Sequence, residues 1–80
     1  MLIKIDKFDG GISEFKEFAK RQWVLEVTGA QPVGRVKVGP NAFSSAAAFK
    51  EWADGIDQAG FDKLRGEFVE FPDAGAVSLE

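Results

Sequence analysis

Four carboxylates in the second half of the chain, Glu51, Asp54, Asp57 and Asp62, are the residues whose type and spacing could do chemistry. At about 100° per residue of helix, Glu51, Asp54 and Asp57 gather on one side, almost opposite Phe49, Trp52, Ala53 and Ile56. Such a group suits two tasks. Two paired carboxylates can move protons or cleave a glycosidic bond, provided that one is desolvated in a pocket so that its proton is held near neutral pH. Alternatively, a row of exposed carboxylates can face the Lys and Arg side chains of a partner. Placement opposite an apolar face exposes these residues and argues against the first task. The chain also has no His and no Cys, which removes the usual general base, thiolate and soft metal ligands. The expectation is a protein that is not an enzyme and that binds its partner through Glu51, Asp54, Asp57 and Asp62.

Magnitude limits how closely this surface imitates nucleic acid. Glu51 to Asp57 spans about 9 Å of helix axis, over which duplex DNA carries about five charges. Three carboxylates with Lys50 beside them are a partial imitation, and Asp62, Glu67, Glu70 and Asp73 would have to join the same surface to complete it. The net charge of -3 conceals an asymmetry: residues 1–40 hold seven Lys/Arg against five Asp/Glu, whereas residues 41–80 hold three against eight. The acidic half disfavours direct nucleic-acid or membrane binding and favours a Lys/Arg-lined protein.

Other motifs are weaker. Asp6, Asp9, Glu14 and Glu17 interleave with Lys4, Lys7 and Lys16 and match no calcium loop, so no metal is expected. GAQPVGRVKVGP has neither a dinucleotide fingerprint nor a Walker lysine, so no cofactor is expected. Val36 and Val38 occupy strand positions where a sheet-based RNA binder needs aromatics.

The elements that must position these residues fit a single domain of residues 1–78, with Leu79 and Glu80 resembling a cloning scar. Eighty residues lie near the size at which one core is only just sufficient. The eight Phe and two Trp must supply much of the burial, each worth at most about 4–6 kcal/mol by area. Leu2 to Phe8 alternates as a strand. Residues 13–21 have the apolar spacing of a helix capped by Ser13, although the preceding Asp9-Gly10 also suits an antiparallel turn, which would make them a strand. Gln22 to Thr28 reads as a strand, with Trp23, Leu25 and Val27 on one face, paired to Arg35 to Val38, which Gly39-Pro40 stops. A helix capped by Ser44 or Ser45 runs to about Ile56. A second, short helix carries Phe61 and Leu64, ends near Gly66 and leads to a closing strand, GEFVEF, before Pro72. The fold class expected is α+β: an antiparallel sheet of about four strands with two or three short helices on one face. No window reaches the length of a membrane span, and the chain reads as soluble and cytoplasmic.

Phe43-x-Ser45, Phe49, Trp52, Gly55-Ile56, Gly60-Phe61 and Leu64 together resemble the helical hairpin of a small phage-encoded anti-CRISPR protein of the type I-F group. The similarity covers about a third of the chain. It implies a non-enzymatic inhibitor, acting in the cytoplasm of the bacterial host, that binds the type I surveillance complex Cascade. The implied mode is to block target DNA by steric occupation or by partial DNA mimicry through an acidic surface. The chain has no tyrosine, so the family's sheet-surface tyrosines have no counterpart, and no binding residue follows from them. The alternative is a phage structural or assembly module that works by homo-oligomerisation; either a monomer or a small homo-oligomer fits the sequence.

Overall fold

A computed structural model of the chain describes residues 2–31 and 33–71. Strand β1 (Leu2–Lys4) passes into a 3-10 helical turn (Ile5–Lys7), and then come helix α1 (Ile12–Val27) and strands β2 (Val36–Val38) and β3 (Asn41–Phe43). Helices α2 (Ala46–Asp54) and α3 (Gln58–Lys63) precede the closing strand β4 (Phe68–Glu70). The four strands form one antiparallel sheet in the order β1-β4-β2-β3. The fold is α+β. Val36, Val38 and Val69 on one face of the sheet share a core with Phe15, Phe18, Phe49, Ala53 and Phe61 of the helices, while Lys37, Phe68 and Glu70 on the other face are exposed.

The largest departure from expectation is at Gln22 to Thr28, which continues α1 to Val27 instead of forming a strand. No turn residue separates Arg21 from Gln22, and adding residues to a helix already nucleated costs far less than ending it and starting a strand. The helical stripe also persists: Phe15, Phe18 and Ala19 are buried, and Leu25 packs on the same core. Of the alternating residues that suggested a strand, Val27 is 58% exposed. Residues 13–21 are therefore helical, but Ser13 is not the cap. The helix starts one residue earlier, after Gly11 with its φ of +72°, and the Glu14 carboxylate accepts the Gly10 N–H.

With Gln22 to Thr28 in α1, β2 finds its partner in β3. Gly39-Pro40, expected to end β2, is the two-residue turn between them, since Val38 pairs with Asn41. Glycine at the first central position with φ of +56°, followed by proline with its fixed negative φ, has the pattern of a type II′ hairpin turn. Strand β1 is shorter than expected because Ile5–Lys7 curls into the 3-10 turn, which buries Ile5 beneath the helices.

Other features agree with the sequence. Ser45 Oγ accepts the Ala48 N–H at 3.2 Å and caps α2. Gly66, at φ +90°, follows the turn that closes α3. Most of the aromatics are in the core. Phe15 sits at its centre, with ring centroids 5.5 Å from Phe8, 5.9 Å from Phe49 and 5.5 Å from Phe61. The exceptions are Phe68, at 45% exposed, and Trp23, half-buried beside Lys50. The strand stop expected at Pro72 and the tail from Asp73, including Leu79 and Glu80, lie outside the described residues.

Candidate functional site

Helix α2, which carries the first two candidate carboxylates, is held at both ends by α1. The Glu26 carboxylate accepts the Ala46 N–H at 3.2 Å and the Ala47 N–H at 3.3 Å, and also the Gly34 N–H at 3.3 Å from the preceding loop. These first-turn N–H groups have no partner within their own helix, and an anion there also meets the positive end of the helix dipole. At the other end, Lys16 Nζ donates to the Asp54 carbonyl at 3.3 Å, placing a cation at the negative end. The two helices therefore run antiparallel. Ten residues from Lys16 to Glu26 span about 15 Å, which matches the roughly 14 Å of the nine-residue α2. Nothing in the composition pointed to Glu26 or Lys16. Their spacing is informative only once α1 is known to continue through residue 26.

The side of α2 away from the core carries Glu51 and Asp54, both exposed, while Phe49 and Ala53 are fully buried and Trp52 is partly so. Lys50 Nζ lies 2.8 Å from Asp54 Oδ2 and 5.1 Å from the centre of the Trp23 ring. It joins the two helices and offsets much of the Asp54 charge.

Asp57 is not on α2, which ends at Asp54. It caps α3 instead, with Oδ1 accepting the Gly60 N–H at 2.8 Å. Gly60 is suited to that contact because a Cβ there would stand 2.9 Å from Ile56 Cγ1. Asp62 Oδ1 accepts from Gln58 Nε2 at 2.9 Å and from Arg65 Nε at 3.2 Å, and Arg65 also reaches Asp6 at 3.5 Å.

All four candidate residues are exposed. Three are engaged within the chain; of the four, only Glu51 has no ion pair or side-chain hydrogen bond among the described residues. They follow one another along α2, the break after it and α3, an acidic band in chain order. It is not a cleft with converging groups. Among the described residues no three carboxylates are grouped to hold a metal ion, and no helix is long and apolar enough to cross a membrane.

The second exposed feature is the face of the sheet opposite the helices, which the sequence reading did not identify as a surface. Leu2, Lys4, Lys37, Ala42, Phe68 and Glu70 share it, as their register requires. Leu2 is 61% exposed. The alternation of each strand carries this signal in retrospect, but in GEFVEF the phase that exposes Phe68 and buries Val69 is set by pairing with β1 and β2.

Compared with protein-family models, with curated proteins and with solved structures, the chain matches none.

Proposed function

We propose that this protein is a non-enzymatic inhibitor that binds a type I CRISPR surveillance complex and keeps target DNA out of its binding path. The observation that carries the reading is how the segment with the family resemblance is folded. Phe49, Phe61 and Leu64 are buried, while Glu51, Asp54, Asp57 and Asp62 of the same segment stand in solvent. A small rigid body with an acidic band is suited to sit against a Lys/Arg-lined channel. Opposite charge speeds the encounter, while affinity comes from the surface that is covered.

Of the two modes, steric occupation fits better than DNA mimicry. Lys50 and Arg65 already offset Asp54 and Asp62, which leaves the band short of the charge density of a duplex. The protein would act in the cytoplasm of the bacterial host, on a Cascade subunit, without touching nucleic acid itself.

The test is capture of purified type I complexes of several subtypes on the immobilised protein, followed by a DNA-binding assay on any complex retained. Retention with loss of DNA binding supports the reading, and failure to retain any subtype removes it. To test the acidic band, Glu51→Lys and Asp54→Lys should be combined with Asp57→Asn. Asparagine still caps α3, so a loss of binding would report the missing charge and not an unfolded helix.

A further inference from the structure

We propose that the open face of the sheet docks on a second copy of this chain, the two sheets packing face to face about a two-fold axis parallel to the strands. The inference goes beyond the inhibitor reading and does not depend on it. It rests on the order of residues across the sheet. Register places Leu2, Glu70, Lys37 and Ala42 in one row running from β1 through β4 and β2 to β3. That row reads apolar, negative, positive, apolar. The sheet order makes β4 and β2 the central pair, so an axis between them lays the row on its own reverse. Glu70 then faces the partner's Lys37, Lys37 faces the partner's Glu70, and each Leu2 faces the partner's Ala42.

The next row fits by the same operation. Phe68 lies beside Lys4 on one side and Gly39 on the other, where the Gly39 N–H donates to the Phe68 carbonyl at 3.1 Å. The axis brings each projecting Phe68 ring to the partner's Gly39 and the Glu67 side chain packed beside it, at a shallow hollow bounded by Leu2, Lys37, Gly39, Glu67, Phe68 and Glu70. Within the chain Lys37 and Glu70 form no ion pair, as judged among the described residues. In the dimer the two pairs make an alternating square of four charges, and Arg35 lines a second hollow with Lys37, Ala42 and Glu70. Two sheets packed in this way lie in the aligned class, about 10 Å apart. The face measures roughly 19 Å by 10 Å, below the ~800 Å² per partner of standard interfaces. The dimer is therefore weak and forms only at high protein concentration.

Sedimentation equilibrium of the full chain from about 10 µM to 1 mM tests this, with Lys37→Glu, Glu70→Lys and the double exchange as variants. These residues are exposed, and thermal unfolding of each variant checks that it is folded. The expected result is a mass that rises with concentration towards that of a dimer and a loss of association of about tenfold or more in each single variant. The double exchange should return to within about threefold of the original, because it restores opposite charges across the axis. Three results would overturn the proposal: a monomer throughout, single variants that associate normally, or a double exchange no better than the singles. A monomer whose Phe68 is covered only when a different protein is added would likewise assign the face to another occupant.

Discussion

At the level of single residues, Glu26 holds the start of α2, which carries Glu51 and Asp54. Its carboxylate closes three N–H groups from two segments, so Glu26→Ala should cost about 1–2 kcal/mol in urea unfolding, and Glu26→Gln less. Lys16→Met removes the cation at the other end of α2 and should cost about 0.3–1 kcal/mol. The two sites lie about 15 Å apart along α1, so their effects should add within about 0.5 kcal/mol in the double variant. A strong coupling would mean that α2 is not held independently at each end. Neither residue was legible as functional. An isolated Glu and Lys on a helix read as solvated charges until the tertiary neighbour is known. Ser45, by contrast, could be identified because a cap acts on its own helix a few residues away.

At the level of elements, α1 shows where local pattern fails and why. Trp23, Leu25 and Val27 alternate as a half-buried strand would, and β-branched residues favour strands, yet the helix begun at Ile12 simply continues. Val24→Ala distinguishes the two states. In an exposed helical position alanine is the better former and should leave stability unchanged or raise it by up to about 0.5 kcal/mol. In a strand the same change would lower it. Chemical denaturation of the variant decides, and a loss of 1 kcal/mol or more would contradict the continuous helix. The β2–β3 hairpin makes the complementary point. Gly39-Pro40 was recognisable as a stop, but its role as a turn depended on Asn41–Phe43 pairing back, and three residues are too few to show a period. Gly39→Ala should cost about 1–2 kcal/mol, because the φ of +56° is unfavourable for alanine and its Cβ would stand 3.2 Å from Glu67 Cγ.

At the level of the whole molecule, a two-layer α+β body with an aromatic core was legible, because eight phenylalanines without a cysteine leave hydrophobic burial as the main source of stability. An 80-residue domain is stable by only about 4–12 kcal/mol. Phe15→Ala, at the meeting point of Phe8, Phe49 and Phe61, should cost about 3–5 kcal/mol and leave a large unfolded fraction at physiological temperature, seen as lost near-ultraviolet circular dichroism. For the four candidate carboxylates, exposure was legible but local engagement was not. Glu51, Asp54, Asp57 and Asp62 are all exposed as the spacing suggested, whereas the cap made by Asp57 and the pairing of Asp54 and Asp62 depend on where α2 ends and α3 begins. The inhibitor reading therefore leans on shape and coverage more than on charge. The measurement that tests it most directly is the affinity of a purified type I surveillance complex for its target DNA, titrated with this protein. The account predicts that DNA binding falls as the complex becomes saturated. It also predicts that moderate salt slows the protein's association with the complex more than it speeds dissociation. DNA binding unchanged at protein concentrations far above those of the complex, for every subtype tried, would contradict it.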